Sequence, residues 1–126
     1  MRSLLEDIAR SYDGFVELRY HNKIFRSLMV SQGRVDKTNV AHRTGVGVRV
    51  LVNGTWGFAS TSDCSARAIR AAVETASASA KASAGFRKAK IPALPATGLA
   101  VGDFAEPGVD EILNRPMEEK LQLAID

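Results

Sequence analysis

The side chains that could ligate a metal or attack a carbonyl are few and far apart. The chain has two histidines, His21 and His42, and one cysteine, Cys64. Neither histidine has a second His, a Cys or a carboxylate at zinc-ligand spacing, so both read as turn or surface residues. Cys64 falls in the first turn of an expected helix, where the dipole can lower a thiol pKa. Its neighbours are Ala and Ser, with no base nearby in sequence, so it reads as a small helix-start residue. Gly45-Val46-Gly47-Val48 lacks the full glycine-loop pattern and the helix that should follow it, and a strand explains it better. No paired carboxylates, Ser/His/Asp set or HExxH motif can be assembled. The expectation is a chain with no catalytic, cofactor-binding or metal residue of its own, whose chemistry would be completed by other sequence.

The elements that would carry these residues follow from periodicity. Residues 2–12 place Leu4, Leu5, Ile8 and Tyr12 on one helical stripe, ended by Asp13-Gly14. In FVELRY, Val16, Leu18 and Tyr20 alternate with Phe15, Glu17 and Arg19, which is strand periodicity. His21-Asn22-Lys23 reads as a polar break, 24–30 as a second strand, Gln32-Gly33 as a turn and 34–44 as an exposed or edge strand. The strongest pattern is GVGVRVLVNGTWGFAST at 45–61. Asn53-Gly54 is the preferred pair for a two-residue type I′ turn, so paired positions must add to 107. Val52 then faces Thr55, Val50 faces Gly57 and Val48 faces Ala59. On the opposite face Leu51 meets Trp56 and Arg49 meets Phe58, a candidate cation–π pair. Gly47 and Gly57 mark close backbone approach or twist.

Residues 63–84 read as a helix capped by Ser62 or Asp63 and closed by Gly85. Ile69, Val73, Ala76 and Ala80 form its apolar stripe, and Arg67, Arg70, Glu74 and Lys81 its wet side. An alanine stripe can lie close on the small-residue face of the hairpin. Residues 86–115, with Pro92, Pro95 and Pro107, read as an extended connector with a short helical turn near 109–113. Pro116 then opens a helix whose stripe is Met117, Leu121, Ala124 and Ile125. The fold class expected is α+β. An antiparallel sheet of about four strands carries the N-terminal and Ala-rich helices, followed by the connector and a C-terminal helix. The expected division is 1–85, 86–115 and 116–126. The aromatic hairpin face, Arg49, Leu51, Trp56 and Phe58, together with Met117, Leu121 and Ile125, is the candidate interface, because exposed apolar patches rich in Trp and Arg mark binding surfaces.

At 126 residues there is room for one ordinary core. A single cysteine permits no internal disulfide, which suits a reducing compartment. Glu6 and Asp7 interrupt any signal-peptide apolar run, and no stretch approaches the roughly 20 apolar residues of a membrane span. The expected location is the cytoplasm, without membrane contact. The net charge of +3 divides unevenly: residues 64–91 hold 6 basic and 1 acidic group, and residues 92–126 hold 2 basic and 7 acidic. A solvated helix face explains the basic run. With Phe86 as its one aromatic, it offers little base stacking, which argues against nucleic acid as a partner.

Residues 15–84 resemble the N-terminal domain of the TldD/PmbA proteins, often labelled modulators of DNA gyrase. The resemblance rests on an ordered set: the strand with Glu17 and Arg19, the Gln32–Asp36 turn, GVGVRV, the Asn53-Gly54 turn, WGFAST, the Ala-rich helix, and the proline-led helix at Pro116–Lys120. It implies a cytoplasmic metalloprotease, zinc-dependent, acting on unfolded or peptide substrates in a two-subunit assembly. The family's HExxxH motif lies downstream of this domain and has no match here, so the zinc would be bound by residues outside this chain. The reading that follows is a non-catalytic N-terminal fragment that packs on the missing catalytic part or a homologous subunit and shapes the peptide cleft. Peptide would be engaged only in the full assembly. The alternatives are a stand-alone protein-interaction module using the aromatic face and, more weakly, a nucleic-acid binder using residues 64–91.

Overall fold

In a computed structural model the chain is α+β. The residues described are 1–92, 94–95, 98, 100–102 and 104–125. In order, the elements are α1 (Arg2–Arg10), β1 (Phe15–Ser31), β2 (Arg34–Val52), β3 (Thr55–Thr61), α2 (Ala66–Ala84), α3 (Val109–Asn114) and α4 (Met117–Ile125). The three strands form one sheet in the order β1-β2-β3.

The hairpin register is the one that the Asn53-Gly54 turn requires. Val48 pairs with Ala59, Arg49 with Phe58, Val50 with Gly57, and Leu51 with Trp56. Asn53 and Gly54 both have positive φ, at 50° and 72°, as a type I′ turn demands.

Among the described residues the sheet has three strands where about four were expected, and two of the three are long. His21-Asn22-Lys23 does not interrupt β1, which is 17 residues long, and Gly45 does not interrupt β2, which is 19. Residues 21–23 are polar and exposed, and polarity there marks a wet ribbon, not a chain break. Asn22 even ties the strands together, accepting from Thr44 Oγ1 at 3.3 Å and lying 2.5 Å from His42 Nε2.

Contacts divide the chain into two compact units. The first comprises residues 1–23 and 42–95, and its core lies on the valine side of the hairpin. Val46, Val48 and Val50 are buried with Ile69, Ala72, Val73, Ala76 and Ala80 of α2 and with Ile8 of α1. Leu4, Leu5, Tyr12, Val16 and Leu18 pack around them. The stripe Ile69, Val73, Ala76 and Ala80 is therefore buried as expected.

Gly57 is the reason that α2 can lie so close. A Cβ there would stand 2.9 Å from Ala80 Cβ and would overlap the Ala76 carbonyl oxygen. α2 begins later than the sequence suggested, with Ser65 as its cap in place of Ser62 or Asp63. Ser65 Oγ accepts the Ala68 N–H at 3.3 Å, and Asp63 Oδ1 accepts the Ser65 N–H at 2.8 Å. The Asp63 side chain thus closes a turn ahead of the helix instead of capping it. After α2 the chain returns to the hairpin turn, where the Ile91 N–H donates to the Gly54 carbonyl at 3.0 Å.

The second unit comprises residues 24–41 and 96–126. Within it α3 follows Gly108, which has φ 82°, and α4 follows Pro116. Lys120 Nζ donates to the Leu113 carbonyl at 3.3 Å. Of the residues assigned to the extended connector, Ala93, Ala96, Thr97, Leu99 and Asp103 lie outside the described residues, as does Asp126 at the end of the C-terminal helix.

Candidate functional site

Strand alternation gives the first unit two unlike sheet faces. One carries the valines and both of the unit's helices, since α1 and α2 pack into the same core. The other carries Phe15, Glu17 and Arg19 from β1, Arg49 and Leu51 from β2, and Trp56 and Phe58 from β3. Among the described residues, no helix of the first unit packs on this second face. Its residues are graded in exposure: Trp56 and Leu51 are half-buried, and Phe58 is 63% exposed.

The centre of the face is a small charged and aromatic cluster. Glu17 pairs with Arg49 through Oε2 and with Arg19 through Oε1, the latter at 3.2 Å. The Arg49 guanidinium carbon lies 4.7 Å from the centroid of the Trp56 ring. Phe15 meets the same ring edge-on, with centroids 5.5 Å apart and planes at 75°. The sequence pointed to Phe58 as the ring beneath Arg49, because the two are cross-strand partners. The guanidinium instead reaches the diagonal neighbour Trp56, which long side chains can do on a pleated sheet. That choice holds Trp56 among Arg49 and Phe15, and it leaves Phe58 turned to solvent. Among the described residues, the buried Nε of Arg49 has no hydrogen-bond partner. Glu17, Arg19, Gly47, Arg49 and Phe58 line a shallow open groove across the face.

The remaining candidate residues, Met117, Leu121 and Ile125, lie on α4 in the second unit. Met117 is 45% exposed, Ile125 is exposed and Leu121 is half-buried. Sequence reasoning missed Phe15 and Glu17 as members of the hairpin cluster. The signal was present, because they alternate with the core residues Val16 and Leu18.

The zinc that the resemblance implies for the full-length family does not fit the residues present. His42 faces Asn22 and Thr44. Cys64 directs its thiol to the Ser62 carbonyl at 3.7 Å. His21 lines a separate groove with Thr44, Gly45 and Ser62. Among the described residues no group of three or more His, Cys, Asp or Glu could hold a metal ion. Also among the described residues, no helix is long and apolar enough to cross a membrane. One face thus brings together a tryptophan ring in contact with Arg49 and Phe15, an exposed phenylalanine and a paired set of charges.

A family model described as PmbA/TldA metallopeptidase domain 1 matches residues 16–80, just over half of the chain's 126 residues. No curated protein and no solved structure matches the chain.

Proposed function

The chain belongs to the PmbA/TldA metallopeptidase family, and from that premise we propose that it serves as a non-catalytic N-terminal domain. In this reading it packs against the catalytic part of such a peptidase, or against a homologous subunit, and shapes the approach to the peptide cleft. The location is the cytoplasm, and peptide is acted on only by the full assembly.

One observation carries the reading. Both helices of the first unit cover the valine side of the sheet, leaving the Phe15, Arg49, Trp56 and Phe58 face without a helix of that unit. Tryptophan and arginine dominate the energetics of protein interfaces, and here Trp56 is held in place by Arg49 and Phe15. Phe58 is the exposed apolar contact beside them. The α4 stripe of Met117, Leu121 and Ile125 is proposed as a second contact, made by the second unit.

The test is association. The purified chain is mixed with the catalytic part of a PmbA/TldA-family protein and followed by sedimentation. A complex that Phe58→Ser weakens while leaving the far-ultraviolet spectrum intact supports the reading. A Phe58→Ser variant that binds as tightly as the parent chain overturns the assignment of this face.

A further inference from the structure

The open face has a polar end that the Trp56 and Phe58 surface does not use. Strand alternation continues the face from Arg19 to His21 on β1, from Arg49 back through Gly47 to Arg43 on β2, and from Phe58 to Ser60 on β3. His21, Arg43, Gly47, Ser60 and Ser62 line one groove there, and among the described residues no carboxylate lines it with them. Glu17 is engaged by Arg19 and Arg49, and Asp63 is turned to Ser65 and Arg67. Arg43 and His21 are both exposed. Among the described residues neither side chain has an ion-pair or hydrogen-bond partner. Gly47 is a second, separate observation. Its φ is one that any residue adopts, and a Cβ there would meet nothing nearer than the Arg19 carbonyl oxygen at 4.0 Å. A Cβ on Gly45 would instead stand 2.8 Å from the Thr61 carbonyl oxygen. Packing accounts for Gly45 and for Gly57 but not for Gly47, whose missing side chain leaves room in the groove.

We propose that this groove binds a phosphate group, carried by the free anion or by a small phosphomonoester. Arg43 supplies a permanent charge and a planar fork of N–H donors that suits phosphate oxygens. The His21 ring and the Ser60 and Ser62 hydroxyls each have a proton to donate. Donors from three strands or their ends match an anion whose oxygens point in several directions better than a planar one. The room over Gly47 lets such a group come close to the strand. The groove is open to water and its cations are exposed, so the binding is weakened by salt. The site is independent of the docking role proposed above, because it uses the far end of the face and needs no second protein.

The probes are inorganic phosphate and phenyl phosphate. Each is titrated into the isotope-labelled chain at an ionic strength held constant with sodium chloride, and amide shifts are read. The expected result is a saturable perturbation centred on residues 43–47 and 60–62 that chloride alone does not produce. Arg43→Gln should weaken binding about tenfold or more, as loss of a charge-assisted pair does. Gly47→Val should weaken it to a similar extent by filling the groove. It should leave the melting temperature unchanged or raised, since a strand position with open space accepts a β-branched residue. Should Gly47→Val unfold the chain, Arg43→Gln decides, because it removes a side chain without a polar partner. Tighter binding of phenyl phosphate supports the site and identifies its ligand as a phosphomonoester, whereas equal binding supports it as a site for the free anion. No saturable shift with either probe, the same shifts with chloride alone, or binding undiminished in a folded Arg43→Gln or Gly47→Val variant would overturn it.

Discussion

Gly57 lies directly under Ala76, so close that a Cβ on Gly57 would overlap the Ala76 carbonyl oxygen. This contact joins the hairpin to α2 and sets the depth of the core. Gly57→Ala should therefore act as an overpacking substitution, costing about 1–3 kcal/mol, and Ala76→Leu should cost a similar amount from the other side. Urea denaturation measures both. An unchanged midpoint for either variant would mean that α2 does not rest on β3 as described.

The cap of α2 gives a second prediction. Ser65 Oγ accepts the Ala68 N–H, so Ser65→Ala should cost about 1 kcal/mol. Ser62→Ala should cost much less, because Ser62 makes no cap to the helix. Equal losses for the two would move the helix start back toward Ser62.

Asp63 gives a pH dependence with a definite sign. Its carboxylate accepts the Ser65 backbone N–H, and this bond, helped by the Ser65 hydroxyl and by Arg67, holds its pKa below the ordinary aspartate value. Folded Asp63 thus binds a proton less readily than unfolded Asp63. Its contribution is fully present above the unfolded pKa of about 3.9 and is lost as pH falls through the lower folded value. Between about pH 5 and pH 3, Asp63→Asn should flatten part of the fall in melting temperature. Parallel curves for the two proteins would contradict this account of the turn.

Arg49 and Trp56 give a fourth. The guanidinium stacks on the indole and pairs with Glu17, a combination that a lysine ammonium does not reproduce. Arg49→Lys should change the Trp56 emission and raise its accessibility to quenchers. The cost in stability should be about 1 kcal/mol or less, since both partners are partly exposed. An unaltered Trp56 signal would mean that the indole is held by something other than Arg49.

Much of the first unit was legible in the sequence because two local signals agreed. Asn53-Gly54 specified the turn, and the alternation of Val46, Val48 and Val50 specified which face turns inward, so the register followed. The alanine stripe of α2 and the small residues Gly57 and Ala59 then matched as complementary surfaces. The extent of β1 was not legible, because the polarity of His21-Asn22-Lys23 is shared by turns and by exposed strand, and only the pairing of Asn22 with Thr44 distinguishes them. The start of α2 was ambiguous among Ser62, Asp63 and Ser65, all capable caps. The ring under Arg49 could not be read from pairing alone, since direct and diagonal neighbours both lie within reach of a long side chain.

The central claim is that the Trp56 and Phe58 face docks on the rest of a peptidase assembly. The most direct measurement is sedimentation velocity of the chain with the catalytic part of a PmbA/TldA-family protein, repeated with Phe58→Ser. The account predicts a complex for the parent chain and at least a tenfold weaker one for Phe58→Ser, in keeping with a truncated interface anchor. A complex of equal strength for the two, or none with the parent chain, would contradict it.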